Sequence, residues 1–216
     1  IGGTNLFASY VLPPLLSRFT EQYPQVQVNL VEATTSQLTD RLFSGSLDLL
    51  IDNKSMDPAI YQKSFFCEEH LLLAVPIRLS VNEKMKNYAL TASDIRENRH
   101  LNSRIPPVPL ENFQEESFLL LKSGNDTRTR ADRICHNAHV IPKIKLELDQ
   151  QITAYNLSRY GMGISFCSDT LVRHVPDDEG LVYYKLNHQD ALREVNFYYK
   201  RNRYMPRIVS TFLDMI

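Results

Sequence analysis

No apolar run in this sequence approaches the ~20 residues a membrane-spanning helix needs, and no signal-peptide pattern opens it. No membrane partner is therefore expected. Cysteine is scarce. The three present, Cys67, Cys135 and Cys167, are odd in number and widely spaced, which argues against a disulfide framework and for a reducing compartment. Charge of one sign is lacking as well: the formal net charge is -1, so bulk composition gives no footprint for nucleic acid. There is no repeat at solenoid period and no low-complexity stretch.

Catalytic signatures are missing too. The chain has no Gly-x-Ser-x-Gly elbow, no Walker loop and no His-Glu-x-x-His helix. Gly161-Met162-Gly163 lacks a third glycine and follows a helical pattern, so it reads as a helix C-cap, not a dinucleotide fingerprint. Cys135, His136 and His139 fall in a predicted helix and at its end, with no second Cys/His group at ligand spacing. No metal site and no cofactor are expected from them. The basic stretch Lys200-Arg201-Asn202-Arg203, with Arg207, reads as a solvated strand end.

What is present describes a globular chain. Its 216 residues, 43% hydrophobic and 23% charged, suffice to bury a core in one domain or two small ones. The opening stretch Ile1-Gly2-Gly3-Thr4-Asn5 reads as the stub of a strand and a small polar loop. An amphipathic helix follows, with Leu12, Leu15, Leu16 and Phe19 on one face. The short first strand and the start without Met lead us to expect that an upstream portion has been removed.

Tyr23-Pro24 stops that helix, and the alternation of Val26, Val28 and Leu30 predicts a strand to Ala33. Ser36 is placed to cap a helix through Phe43, Gly45 to end it in the left-handed conformation, and Leu47–Ile51 to form a buried strand. Strand–helix–strand–helix–strand within 52 residues predicts a parallel sheet with right-handed crossovers.

The rhythm then changes. Tyr61–Cys67 and His70–Val75 read as two strands joined through Glu68-Glu69. The polar, proline-punctuated stretch 78–116 holds one short helix near Ser93–Arg99. A second βαβ set begins at Phe118–Leu121. After the turn Ser123-Gly124-Asn125, Asp126 or Thr127 caps a helix, Ile144–Leu148 is a strand, and Asp149 caps a helix that stops at Gly161. Strands follow at Gly163–Cys167, Leu181–Leu186 and Val195–Lys200, then a terminal helix from Arg207. Two βαβ sets predict two α/β lobes, residues 1–76 with 191–216 and residues 77–190. The chain crosses twice between them through a two-strand hinge, with a ligand crevice expected between the lobes.

Thr4, Asn5, Thr34 and Thr35 follow the first two strands, at the sheet edge where open α/β sheets bind ligands. They serve equally as helix caps or as donors to a small polar ligand. The second lobe places Ser123, Gly124, Asn125, Asp126 and Thr127 at the equivalent edge. Asp126 weighs against a purely anionic ligand unless it points away as a cap.

Several segments in this order and spacing resemble the effector-binding domain of LysR-type transcriptional regulators. They are Leu12-Pro-Pro-Leu-Leu-Ser-Arg-Phe19 with Tyr23-Pro24, Val31-Glu-Ala-Thr34, Leu42-Phe-Ser-Gly45-Ser-Leu-Asp48-Leu-Leu-Ile51 and Tyr160-Gly161-Met-Gly163-Ile164. The resemblance spans essentially the whole chain. It implies an α/β, two-lobed, periplasmic-binding-protein-like (type 2) fold without catalysis, and a cytoplasmic homodimer or tetramer. DNA would be bound only through a missing N-terminal winged helix-turn-helix, and RNA polymerase is a further implied partner.

The implied inducer, a small anionic metabolite, would contact Thr4, Asn5, Thr34, Thr35 and the loop Ser123–Thr127. Many members carry Leu-Pro where this chain has Cys167-Ser168, so Cys167 would line a wall that differs here. The alternatives are a solute-binding protein of a transporter, which a signal peptide upstream would reveal, and an enzyme on the same fold. The enzyme would need a reactive group of perturbed pKa in the crevice.

Overall fold

The computed structural model describes residues 1–176 and 179–216. The chain divides into two compact units, Ile1–Glu68 with Glu194–Ile216, and Glu69–Arg193. The fold is α/β, each unit a small sheet with helices on both faces, joined by two strands.

The first unit holds β1 (Gly2–Gly3), α1 (Leu12–Gln22), β2 (Val31–Glu32), α2 (Thr35–Ser44), β3 (Leu50–Asp52), the start of β4 (Tyr61–Pro76), most of a later strand and a C-terminal helix. β1 pairs in parallel with β2 (Gly2↔Val31) and with β3 (Gly2↔Leu50). Successive residues of β3 feed opposite cores. Ile51 packs with Phe7, Leu12 and Phe19, whereas Leu50 packs with Leu38 and Leu42 of α2, as the strand period of two requires.

A π-helical turn, Phe7–Val11, precedes α1, and the Leu12 N–H reaches back to the Phe7 carbonyl. Pro13 and Pro14 bring no N–H and crowd the preceding turn, so the wider turn forms where α-type bonds cannot. Three local readings change. Val26–Leu30 forms no ladder, because β1 offers little to pair with; Val26 and Val28 still pack on the core. Thr34 caps α2, not Ser36, and makes a reciprocal capping box with Gln37. Gly45 does close α2 in the left-handed region, at φ 81°.

The second unit holds the remainder of β4, α3 (Val81–Lys84), α4 (Ala92–Arg96), β5 (Ser117–Leu121), α5 (Asp126–Asn137), β6 (Lys143–Leu148), α6 (Gln151–Arg159), β7 (Ile164–Ser168), α7 (Asp169–His174) and β8 (Leu181–Lys185). The chain then returns through β9 (Leu192–Lys200), which pairs antiparallel with β3, and ends in α8 (Arg207–Met215). β5 is parallel to β6 and β7, and β4 runs antiparallel to β7 and β8. Phe118 and Leu120 of β5 face the larger core with Ile134 of α5, while Leu119 and Leu121 face Ala154 of α6.

β4 is one continuous strand through Glu68-Glu69, where two were expected. The division between units therefore falls inside this strand and not at Pro76: from Leu71 on it pairs with β7 and β8 of the second unit. Asn125 caps α5 in place of Asp126 or Thr127, and Asp149 pairs with Lys122 instead of capping α6. The short helix α7 was not anticipated; Ser168 caps it through the Leu171 N–H. No helix among the described residues is long and apolar enough to cross a membrane.

Candidate functional site

In the first unit, parallel β1, β2 and β3 end at one edge, and the residues just beyond them carry the polar groups. Asn5 Nδ2 donates to Glu32 Oε1 (2.9 Å), and Thr35 Oγ1 donates to Asp52 Oδ2 (2.8 Å). Asp52 is buried and also accepts from the Lys54 N–H. Thr34 is exposed and engaged in its capping box. Of the predicted residues, Asn5 and Thr35 thus each hold a carboxylate, Thr34 is engaged with Gln37, and Thr4 is half-buried just before the helix.

In the second unit, parallel β5, β6 and β7 end at Leu121, Leu148 and Ser168, each followed by a helix N-terminus, of α5, α6 and α7. Such an edge gathers unsatisfied N–H groups and favours anions. Ser123 and Gly124 are exposed in the turn, and Asn125 Oδ1 accepts from the Thr127 N–H (2.9 Å). No side chain caps α6. Beside it, Gln151 accepts from Ser168 Oγ (3.1 Å), and its Nε2 is a buried donor without a partner.

Asp126 and Thr127 have another role than the sequence suggested. The Arg193 guanidinium, whose side chain is 1% exposed, donates to Glu69 Oε2 (2.6 Å), Asp126 Oδ2 (2.9 Å) and Thr127 Oγ1 (3.0 Å). Burial alone would lower the Arg193 pKa, but Glu69 and Asp126 outweigh it and keep the guanidinium charged. Arg130 Nε also holds Asp126 Oδ2, at 2.7 Å. With two guanidiniums on it, Asp126 no longer opposes an anion at this edge. Glu69 and Arg193 lie on β4 and β9, the strands that leave this unit, and tie them together at its boundary.

Cys167 is fully buried within β7, opposite Leu72 of β4, and burial pushes its thiol pKa far up. It offers no surface for a ligand, because a central strand is covered on both faces. Ser168, the next residue, is the one at the strand end.

Sequence reasoning missed Glu69, Gln151 and Arg193. The signal for Glu69 was its parity. Extending the strand back from Leu71, Leu73 and Val75, all in the core, puts Glu69 on the same buried face, where it needs a cation.

The family described as the LysR substrate binding domain matches residues 1–216. The uncharacterised HTH-type transcriptional regulator YcgK of Bacillus subtilis (strain 168) is 25% identical over 215 residues, covering 100% of this chain and 64% of its own. The chain thus spans less than two thirds of that relative. Among solved structures, the regulatory domain of CcmR from Synechocystis PCC6803 in complex with 2-PG matches with a TM-score of 0.79 at 20% identity, over 99% of this chain and 92% of that one. The effector binding domain of QuiR in complex with shikimate matches with a TM-score of 0.74 at 14% identity, over 99% and 92%. These likenesses agree with the two-lobed, type 2 periplasmic-binding-protein-like fold. The chain belongs to the LysR substrate binding domain family, the ligand-binding domains of transcriptional regulators.

Proposed function

We propose that this chain senses a small anionic metabolite for a LysR-type regulator. The observation that carries the reading is the carboxyl edge of the second unit, where α6 begins without a side-chain cap and the buried Gln151 Nε2 beside it has no partner. A carboxylate or phosphate there would meet N–H donors already oriented, which lowers the cost of binding it. Ser123, Gly124 and Asn125 stand at this edge as exposed or half-exposed contacts. Thr4, Asn5, Thr34 and Thr35 form the contact set of the first unit. Shikimate, bound in the structurally similar QuiR domain, is itself a carboxylate.

The role is binding without catalysis, in a cytoplasmic homodimer or tetramer. DNA would be contacted through an N-terminal helix-turn-helix outside this chain, with RNA polymerase as a further partner of the whole regulator. The effector would act by shifting subunit arrangement, and only by as much as its affinity differs between the two states.

A thermal-shift screen of small carboxylates and phosphates tests this. A ligand present at 100 times its Kd stabilises by about 2.7 kcal/mol. The shift should shrink in Gln151→Ala and in Thr4→Ala/Asn5→Ala. Shifts of full size in both variants would place the site elsewhere.

A further inference from the structure

The second unit carries a cluster that the effector reading does not use. His70 of β4, His100 and Asp169 of α7 each place one ligand-type atom so that the three lie within 4.8 Å of one another. His100 Nε2 lies 3.0 Å from Asp169 Oδ2, and His70 Nδ1 lies 3.6 Å from the same oxygen. Zinc takes nitrogen and oxygen ligands at about 2.0–2.2 Å, so tetrahedral ligands stand about 3.3–3.5 Å apart. The two observed separations bracket that value.

The carboxylate is held for such a role. Its other oxygen, Oδ1, accepts the backbone N–H groups of His70 (2.9 Å) and Thr170 (2.9 Å), which fixes the direction in which Oδ2 points. His70 Nδ1 is buried and makes no hydrogen bond; in the tautomer protonated at Nε2 it carries a free lone pair. The His70 side chain is 30% exposed and that of Arg173 33%, which gives an ion a way in.

We infer that His70 Nδ1, His100 Nε2 and Asp169 Oδ2 form a binding site for a divalent transition-metal ion of the zinc class, with solvent completing the coordination. Arg173 Nη2, now 2.9 Å from Asp169 Oδ2, competes with the ion and must swing away when it binds. In the tautomer that donates from Nε2 to Asp169, the His100 proton leaves or moves to Nδ1 as the metal takes the Nε2 lone pair.

Cobalt(II) titration of the 216-residue chain, read by the visible absorption of four-coordinate cobalt and reversed by zinc, tests the site. The wild type should bind one equivalent. His70→Ala and Asp169→Asn should each weaken binding by at least about 10-fold, and His136→Ala/His139→Ala should leave it unchanged. Arg173→Ala should tighten binding even though it removes an ion pair, an outcome that a purely structural cluster would not give. The inference is overturned if the folded wild type gives no such absorption. It is equally overturned if His70→Ala, whose ring is partly exposed, binds as the wild type does, or if the signal disappears in His136→Ala/His139→Ala.

Discussion

At the scale of single residues, the most consequential group is Arg193. A fully buried guanidinium costs several kcal/mol of hydration, which only well-placed acceptors offset. Glu69, Asp126 and Thr127 supply them. Arg193→Ala strands Glu69 in the interior, so chemical denaturation should show a loss of about 3–5 kcal/mol. Replacing Glu69 and Arg193 together by apolar residues of similar volume should cost less than the single change. A loss below about 1 kcal/mol in Arg193→Ala, the range of an exposed pair, would contradict the account.

Cys135 gives the pH counterpart. Burial first, then the charge of Asp132, pushes its thiol up to about 12. A group whose folded pKa exceeds its unfolded value of about 8.5 stabilises the fold fully below the unfolded value and loses that contribution as pH rises through the folded one. Stability should therefore fall between pH about 8.5 and about 12, and less steeply in Cys135→Ala. Equal slopes in the two proteins would refute this cause.

At the scale of elements, the Gly161-Met162-Gly163 segment shows what each glycine is for. Gly161 sits at φ 78° just after α6, the left-handed conformation expected of a C-cap, and its carbonyl accepts from Arg78 Nη2 (2.7 Å). Gly163 lies beside β5, where an added Cβ would fall 2.7 Å from the Ser117 carbonyl oxygen. Backbone cannot step aside as a side-chain tip can. Gly163→Ala should cost about 1–3 kcal/mol by overpacking, seen as a lowered Tm, and an unchanged Tm would deny the close approach.

Most elements were legible because their signals are local: apolar period, Gly45 and Gly161 as stops, and the strand run Phe118–Leu121. Those misread depend on partners. Val26–Leu30 alternates like a strand but finds little to pair with, and Glu68-Glu69 looks like a turn because the cation that permits a buried Glu69 lies at Arg193, 124 residues away.

At the scale of the whole molecule, the order of elements carried the fold: two βαβ sets with a return through β9 imply two units and two linking strands. The proposed binding edge was legible in part. Parallel strands place Thr4, Asn5, Thr34 and Thr35 at one edge and Ser123–Thr127 at another, whichever side chains they carry. Which of those side chains stay available was not legible. Asp126 and Thr127 are engaged by a residue distant in sequence, and Gln151 emerges only when α6 is set beside Ser168. The chemistry of such a site depends on neighbours that no local spacing reveals.

Hydrogen–deuterium exchange with and without a stabilising anion from the screen tests the central claim most directly. Protection should concentrate in residues 123–127 and 150–153, at the starts of α5 and α6, with further protection at Thr4–Asn5 and Thr34–Thr35. Protection confined to other segments, such as α1 and α8, with the carboxyl edges exchanging as in the free protein, would contradict it.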